Sequence, residues 1–204
     1  MKALVLLSGG LDSTITLFWA IRHFTSSAVA FSYGQPAAEI EAAVCIAEMA
    51  SVRLRVHELP TMKVCSPLVR PYTNTIPGRN LVLLSVAAHF AALEQCNVLL
   101  IGINKGDQDH YRDCSNEFLG WARNALGLHL LFPKSEEVSD PFPCLSKAGL
   151  VSLASRLGAD CWRAVERSVS CHRGDGCGEC LACFSRATAF EFAGVKDPAI
   201  VSGG

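Results

Sequence analysis

The sequence lacks the features of a membrane protein and of a general polyanion binder. Its longest apolar stretch, LVLLSVAAHFAAL, is interrupted by Ser85 and His89 and falls short of the roughly 18–20 residues that a membrane span needs. The start, MKALVLLSGGLDS, has no small-residue cleavage site and predicts a buried strand rather than a signal peptide. The formal net charge of −1 gives no general attraction to nucleic acid or to an anionic membrane. We therefore predict a cytoplasmic protein with no membrane partner and no direct nucleic-acid partner.

Internal repeats and low-complexity segments are also lacking, and 204 residues suffice for one full core but not for two large independent domains. Cysteine, by contrast, is abundant, with ten residues. Six are scattered in mostly apolar surroundings and are predicted to be core thiols: Cys45, Cys65, Cys96, Cys114, Cys144 and Cys161. The other four form a cluster near the C-terminus. Without a signal peptide, such a cluster indicates a metal site in a reducing compartment rather than disulfides.

Strand-like and helix-like segments alternate along the chain. The predicted strands are KALVLL, SAVAFSY, RLRVHEL, NVLLIGI and residues 129–132. Helices are predicted from Ser13, from Pro36, over NLVLLSVAAHFAALEQ, and over residues 113–126 and 146–157. The third of these is apolar nearly all round and is predicted to be buried. The longest stretch without a predicted element, residues 59–78, is a candidate lid.

This alternation predicts an α/β fold: a doubly wound parallel sheet covered by helices on both faces. In such sheets ligands bind beyond the carboxyl ends of the strands, so the polar turns there are the candidate sites. We assign residues 1–160 to a nucleotide-binding domain and residues 161–204 to a C-terminal helical segment packed on it.

The turn after the first strand, SGGLDS, has the glycines of a phosphate loop but no lysine. Gly9 and Gly10 permit a tight turn that directs N–H groups toward an anion, and Ser8 and Ser13 can donate hydroxyl hydrogen bonds. The loop G-x-x-x-x-G-K-[ST] carries a lysine for the β- and γ-phosphates, so its absence favours cleavage of ATP between the α- and β-phosphates. Asp12 then suits a Mg²⁺ ion that bridges the phosphates. The alternative is an ordinary glycine turn in which Asp12 caps a helix.

The cysteine cluster has the spacing C-x5-C-x2-C-x2-C, formed by Cys171, Cys177, Cys180 and Cys183. Four thiolates can close a tetrahedral Zn²⁺ site, and the polar, glycine-rich flanks argue against core cysteines. An iron–sulfur cluster is the alternative, although no proline-linked fourth cysteine follows Cys183. His172 is a substitute ligand that a four-cysteine site does not require. We predict structural zinc.

SGGLDS matches the S-G-G-x-D-S signature of the ATP pyrophosphatases, the PP-loop synthetases. Together with the cysteine cluster and the segments SYGQ, IPGRN, YRDC, LSKAGL, RATAF and AGVKDP, it gives a chain that resembles the 7-cyano-7-deazaguanine synthase (QueC-like) family over nearly its whole length. The resemblance implies a PP-loop fold and an ATP-dependent carbon–nitrogen ligase of queuosine biosynthesis. It also implies a homodimer.

The implied reaction begins with 7-carboxy-7-deazaguanine and ATP. A carboxylate is a poor electrophile, whereas its adenylate has AMP as a good leaving group. Ammonia then gives an amide, which a second activation dehydrates to the nitrile. ATP, Mg²⁺ and Zn²⁺ are the implied cofactors, and AMP and pyrophosphate are the implied nucleotide products.

The resemblance also implies a role for individual residues. ATP and pyrophosphate are expected to bind at Ser8, Gly9, Gly10, Leu11, Asp12, Ser13, Arg79 and Asn80. The expected catalytic residues are Asp12, Arg79 and Lys147. The expected substrate-binding residues are Tyr33, Gln35, Tyr111, Asp113 and Cys114, and the expected metal ligands are the four clustered cysteines.

Simpler interpretations of several of these residues remain open. Arg79 and Asn80 can be a helix start with a surface arginine. Lys147 can be an exposed helical lysine. Asp113 can pair with the amide and amino edge of a guanine-like base, or it can be the N-cap of the helix that follows.

The chain departs from the family pattern in two turns that face the acceptor. Pro36 and Ala37 stand where the family reads arginine and histidine after Y-G-Q, and NKGDQDHYRDC replaces C-E-T-D-F-S-G-Y-P-D-C. A second hypothesis is therefore transfer of the deazaguanine acid to an amine of a protein partner, as an amide that is never dehydrated. A catalytically idle binding subunit and a tRNA sulfur-transferase with paired catalytic cysteines are further alternatives.

Overall fold

The structure is a computed structural model that describes residues 1–62, 76, 78–133, 144–171, 173–174 and 176–201. The strands are β1 (Lys2–Leu6), β2 (Thr25–Ser32), β3 (Leu54–Glu58), β4 (Val98–Ile101) and β5 (His129–Leu131). The first helices are α1 (Leu11–His23), α2 (Ala37–Met49), α3 (Arg79–Leu93), α4 (Lys105–His110) and α5 (Asn116–Leu126). The others are α6 (Lys147–Leu157), α7 (Ala159–Arg167), α8 (Leu181–Phe192) and α9 (Pro198–Val201). A 3₁₀ turn, Arg112–Cys114, precedes α5.

The strands form one parallel sheet in the order β3-β2-β1-β4-β5. The chain winds outward from β1 to β3, and α3 then carries it across to β4 on the other side of β1. In register, Val5 of β1 lies between Ala28 of β2 and Leu100 of β4. The strand order therefore reverses between β1 and β4, and ligand sites of doubly wound folds lie beyond the carboxyl ends of strands at this point.

Helices cover both faces of the sheet, so β1 has no solvent-facing side. Ala3, Val5 and Leu7 pack into a core formed with α1, α2, α6 and α7. Leu4 and Leu6, which alternate with them, pack into a second core with α3 and α5. The predicted doubly wound fold with a C-terminal helical segment is confirmed.

All five predicted strands are present, whereas the helices differ in places. Residues 113–126 form a 3₁₀ turn followed by α5, whose N-cap is Ser115. The prediction that the third helix is buried was wrong, because Leu81, Val82 and Leu93 of α3 are exposed. Only one stripe of α3, which includes Leu84, packs in the core.

Three other predictions have mixed outcomes. The candidate lid at residues 59–78 lies mostly outside the described residues. Among the scattered cysteines, three are buried and two are half-buried, while Cys65 lies outside the described residues. The division at residue 160 falls in the first turn of α7, whose Cys161 packs in the same core as α1, and it stays a prediction.

No helix among the described residues is long and apolar enough to span a membrane.

Candidate functional site

The phosphate loop, residues 8–13, leaves β1 and leads into α1. Hydrogen bonds within the loop fix its turn: Ser13 Oγ donates to the Gly10 carbonyl at 3.0 Å and accepts from Ser8 N at 3.2 Å. The backbone N–H of Gly10 points to Ser8 Oγ at 3.3 Å. Serine hydroxyls and N–H groups therefore surround the N-terminal end of α1, where the helix dipole favours an anion.

Two close backbone contacts explain why glycines border this loop. Gly9 has φ +79°, and a Cβ there would lie 2.1 Å from the Glu39 carbonyl oxygen of α2. Gly102, just after β4, approaches the loop from the other side, because a Cβ there would lie 2.6 Å from Ser13 N. Leu11 is 2 % exposed, so its side chain belongs to the core and only its backbone borders the loop.

Asp12 is the centre of a polar cluster at the switch point. Its Oδ2 accepts from Asn104 Nδ2 at 2.8 Å and lies 3.6 Å from Lys147 Nζ. Its Oδ1 is buried and has no hydrogen-bond partner among the described residues. Asn104 Nδ2 also donates to Asp107 Oδ2 at 2.7 Å, so one amide bridges two carboxylates. Burial, and then the charge of Asp12, raise the pKa of Asp107.

This cluster fits a divalent cation. A buried carboxylate oxygen without a protein partner is a typical oxygen ligand for Mg²⁺, which keeps several waters and binds through one or two carboxylates and substrate phosphates. Asp12 and Asp107 are the carboxylates that would hold the ion. Lys147, the first residue of α6, has a side chain only 22 % exposed. The structure thus brings Lys147 to the phosphate loop.

Arg79 begins α3 and lies among several titratable side chains. Burial raises the pKa of each of them, and the positive charge of the Arg79 guanidinium opposes that rise at Tyr33, Glu39, Asp107, Tyr111 and Cys114. The pKa of Glu39 is raised to about 6. Arg79 therefore supplies positive charge where β2, α2 and the turn after β4 converge.

Asn80 and Asp113 join the start of α3 to the turn before α5. Asn80 N donates to Asp113 Oδ2 at 3.2 Å, and Asn80 Nδ2 donates to the Asp113 carbonyl at 3.0 Å and to Cys114 Sγ at 3.2 Å. Asp113 is not the N-cap of α5, since Ser115 has that position. Burial raises the pKa of Cys114 to about 12, so this thiol is protonated at neutral pH.

A groove of about 670 Å³ opens beside these residues. Tyr111 and Asp113 line it together with the apolar side chains of Leu81, Phe118 and Trp121. The rings of Phe118 and Trp121 lie 6.0 Å apart. The groove therefore combines aromatic and apolar side chains with polar and charged ones, among them the carboxylate of Asp113.

Comparison with known proteins places the chain in a family. The family model described as "Queuosine biosynthesis protein QueC" matches residues 2–194. The chain belongs to the QueC family. It is 37% identical over 221 residues to the 7-cyano-7-deazaguanine synthase of Chromobacterium violaceum, covering 98% of this chain and 93% of that protein. The 7-cyano-7-deazaguanine synthase of Thermoplasma volcanium is 32% identical, with 97% and 89% covered.

One solved structure extends the comparison to the fold of this QueC-family chain. It is described as "The crystal structure of predicted subunit of tRNA methyltransferase from Methanocaldococcus jannaschii DSM". The two share 17% identity with a TM-score of 0.53, over 76% of this chain and 74% of the other. At this identity the likeness concerns the fold alone.

The four clustered cysteines of this QueC-family member meet in space. The Sγ atoms of Cys171, Cys177, Cys180 and Cys183 all lie within 4.8 Å of one another. A tetrahedral Zn²⁺ with bonds of about 2.3 Å would bring the sulfurs to about 3.8 Å apart, so the set fits such an ion. Backbone N–H groups point at two of the sulfurs, from Cys177 N to Cys171 Sγ and from Cys183 N to Cys180 Sγ, at 3.4 Å each. His172, the substitute ligand, lies outside the described residues.

The structure brings the predicted loop residues, Arg79 and Lys147 to one end of the sheet. Tyr33 reaches the same end. Gln35 is different in its contacts: its amide accepts from Tyr33 N at 2.7 Å and donates to the Phe31 carbonyl at 2.6 Å, closing the turn after β2. A substrate contact for Gln35 stays a prediction.

Sequence reasoning missed Asn104 and Glu39. Asn104 could have been identified from the sequence, because Asn104 and Asp107 have the spacing of a capping box and follow a strand at the switch point. Both hydrogen bonds of this capping box form in the structure. Glu39 had no such signal. It belongs to the site because α2 packs against the phosphate loop, which is a tertiary contact that the local sequence does not encode.

Proposed function

We propose that this QueC-family chain is an ATP-dependent ligase that adenylates 7-carboxy-7-deazaguanine and passes it to a nitrogen nucleophile, with ammonia giving 7-cyano-7-deazaguanine. The names of its relatives support the overall reaction. The observation that carries the proposal is the convergence of three features at the switch point: a phosphate loop without lysine, Lys147, and the Oδ1 of Asp12, which has no hydrogen-bond partner in the described part of the chain. AMP and pyrophosphate are the proposed nucleotide products.

The proposed roles of the loop follow from its geometry. Ser8, Gly10 and Ser13, which hydrogen-bond to one another in the loop, would donate to the pyrophosphate at the N-terminal end of α1 in place of these internal bonds. Asp12 and Asp107 would hold a Mg²⁺ ion, which would neutralise phosphate charge. Lys147 adds a point charge beside Asp12. Electrostatic stabilisation of this kind acts most strongly in a dehydrated site.

The proposed acid site lies between Arg79 and the groove. Arg79 attracts the carboxylate and the developing negative charge of the adenylation step. Asp113 faces the amide and amino edge of the base, with Tyr111 and Cys114 beside it. Positioning the carboxylate oxygen near the α-phosphate is the main contribution expected of these residues.

A second candidate for the nitrogen source is a primary amine of a protein partner. Two exposed acidic residues, Asp109 and Glu117, line the groove together with the exposed Arg112. The two carboxylates can attract a protonated amine. On this path the amide is the final product.

The other classes have weaker support. A sulfur-transferase needs reactive thiolates near the nucleotide, but burial raises the pKa values of Cys114 and Cys144 to about 12. An idle binding subunit has no need for the buried charges of Asp12 and Asp107 at the loop. Both alternatives therefore require features that this site does not favour.

Mass spectrometry of products tests the proposal and separates its two branches. The chain is incubated with ATP, Mg²⁺ and 7-carboxy-7-deazaguanine, with ammonium in one reaction and a peptide bearing a free amine in another. Free nitrile supports the synthase, and a mass increase on the peptide supports amide transfer. If neither the acid nor ATP is consumed in any of the reactions, the ligase proposal is contradicted.

The identity of the metal and the oligomeric state are proposals as well. We infer that the ion at the cysteine cluster is zinc, since four thiolates with backbone N–H donors suit a closed tetrahedral site. We also infer a homodimer, which the exposed Val82 and Leu93 on α3 support because an unpaired apolar face favours burial. Sedimentation velocity tests the dimer: wild type is expected to sediment as a dimer and Val82→Glu as a monomer, and a monomeric wild type contradicts it.

A further inference from the structure

The segment 168–171, which joins α7 to the first clustered cysteine, touches the phosphate loop directly. Val169 N donates to the Gly9 carbonyl at 2.9 Å. The loop is thus held on one side by this segment. On the other side it packs against α2, whose Glu39 carbonyl oxygen lies too close to Gly9 for a side chain there.

The hydrogen bond to Gly9 has a consequence for anion binding. The Gly9 carbonyl and the Gly10 N–H belong to the same planar peptide unit and point in opposite directions. When Val169 holds the carbonyl, the N–H of Gly10 is turned toward the exposed side chain of Ser8. This is the direction from which a phosphate would approach the loop.

Arg186 of α8 fixes the segment in turn. It is 7 % exposed, and its Nη1 donates to the Ser168 carbonyl at 3.1 Å, to Ser168 Oγ at 2.8 Å and to Ser170 Oγ at 3.3 Å. Its Nε and Nη2 donate to the two carboxylate oxygens of Asp197 at 2.6 and 2.9 Å. Its Nη2 also donates to the Val165 carbonyl at 3.1 Å. A lysine in this position cannot make so many bonds, because it lacks the planar fork.

The cysteine cluster joins the same two parts of the chain. Cys171 ends the segment, while Cys180 is the N-cap of α8 and Cys183 lies in its first turn. Arg186 follows Cys183 by one helical turn. A metal ion on the cysteines and the Arg186 guanidinium therefore attach the segment to α8 at two neighbouring points.

We propose that Arg186 and the metal-bound cysteines position the phosphate loop, through Val169 and Gly9, so that metal binding and ATP binding are coupled. This inference rests on the proposed function for the identity of the ligand, and it makes Arg186 a positioning residue rather than a catalytic one. Coupling between two binding sites is reciprocal. Bound ATP should therefore raise the affinity for the metal by the same factor by which the bound metal raises the affinity for ATP.

Calorimetry of MgATP binding tests the role of Arg186. The variant is Arg186→Lys, and its matched control is Arg163→Lys on α7, where the arginine is exposed and pairs with the exposed Asp160. We expect the dissociation constant of Arg186→Lys to rise at least about five-fold at an unchanged stoichiometry, and that of the control to match wild type. A merely structural role would lower the stoichiometry without changing the dissociation constant, and that result overturns the proposal.

Metal release from the wild-type chain tests the coupling without any variant. A chromophoric chelator in excess removes zinc, and the rate is followed with and without saturating MgATP. We expect MgATP to slow the release several-fold in wild type and less than two-fold in Arg186→Lys. An equal rate with and without nucleotide in wild type overturns the coupling.

The two proposals fail in different ways. If the wild-type chain binds no MgATP, the proposed function fails and this inference falls with it. If wild type binds MgATP but Arg186→Lys and the metal-free chain bind it equally well, only the inference is contradicted.

Discussion

At the scale of single residues, the two oxygens of Asp12 have different surroundings. Oδ2 contacts Asn104 and Lys147, while Oδ1 is buried without a hydrogen-bond partner among the described residues. A buried acceptor without a partner costs free energy in the unliganded chain. Such a cost is typical of a site organised for a ligand, and we propose that this ligand is a cation with its phosphates.

Asp12→Asn is therefore expected to abolish chemistry without unfolding the chain. Formation of AMP and pyrophosphate should fall at least about 100-fold, because the charge that holds the metal is lost. The thermal midpoint should move by less than about 4 °C, because the removed charge was only partly paired. Asp160→Asn, on the exposed face of α7, is the matched control and should keep full activity. An Asp12→Asn variant within ten-fold of wild type contradicts the assignment.

Glu39 gives the chain a pH dependence of stability. Burial raises its pKa from 4.5 to about 6, with the Arg79 charge in opposition. Between these values the folded chain holds a proton at Glu39 that the unfolded chain has released, so stability falls as the pH rises through that window. The loss should be about 1 kcal/mol once the partial exposure of Glu39 is allowed for.

Urea unfolding of wild type and Glu39→Gln from pH 4.5 to pH 7 measures this effect. The variant lacks the titration, so its stability relative to wild type should rise by about 1 kcal/mol across the range. Other titrating groups act on both proteins and cancel in the difference. A constant difference, or one that shrinks as the pH rises, contradicts the buried position of Glu39.

At the scale of elements, the approach of β4 to α1 positions the phosphate loop. There is no space for a side chain at Gly102, because a Cβ there would lie 2.6 Å from Ser13 N. Gly102→Ala should therefore displace the start of α1 and raise the KM for ATP at least about ten-fold, as misplacement of a binding group by 1 Å costs about 100-fold in the most sensitive sites. The measurement is steady-state pyrophosphate release against ATP concentration.

Gly120→Ala is the matched control. Gly120 lies in α5, where a Cβ would meet no atom of the described residues within 4 Å. Alanine is the better helix former, so the variant should gain up to about 1 kcal/mol of stability and keep the wild-type KM. Equal KM values for both glycine variants would contradict the close packing of β4 on the loop.

The elements differ in how far the sequence predicts them. The β1–loop–α1 unit was predictable because an apolar strand, a glycine turn and a helical period follow one another within about twenty residues. Helix α4, KGDQDH, was not, because it is short and entirely polar and depends on the capping box of Asn104. The exposed face of α3 was not predictable either, since an apolar helix surface can be buried by its own chain or by another.

The residues of the candidate site also differ in how far the sequence predicts them. The residues of the phosphate loop and the four cysteines lie close together in sequence, so their spacing identified them. Glu39 and Arg186 act through partners that lie far away along the chain, namely the loop and segment 168–171. Asn104 has a local capping box with Asp107, but its contact with Asp12 is also between distant parts of the chain. Such contacts exist only after the sheet and its helices have formed, and no local pattern specifies them.

At the scale of the whole molecule, a metal at the cysteine cluster would link segment 168–171 to helix α8. Wild type is expected to contain about one zinc per chain and to show no visible absorbance band. Cys177→Ser should lose the metal and have a lower thermal midpoint, because binding of a structural metal adds to folding free energy. Cys45→Ser, a change of a half-buried cysteine outside the cluster, should retain it.

Elemental analysis together with thermal unfolding checks this expectation. Iron with a visible band would assign the cluster to iron–sulfur chemistry instead. Full metal content in Cys177→Ser would mean that the four cysteines do not act as one site.

The measurement that tests the central claim most directly is the identification of the ATP bond that is broken. We would incubate the chain with Mg²⁺, 7-carboxy-7-deazaguanine, ammonium and ATP labelled at the α-phosphate, and separate the nucleotides over time. We predict labelled AMP and an equal amount of pyrophosphate, formed only when the acid is present. Labelled ADP with inorganic phosphate, or no ATP consumption that depends on the acid, would contradict a phosphate loop built to hold pyrophosphate.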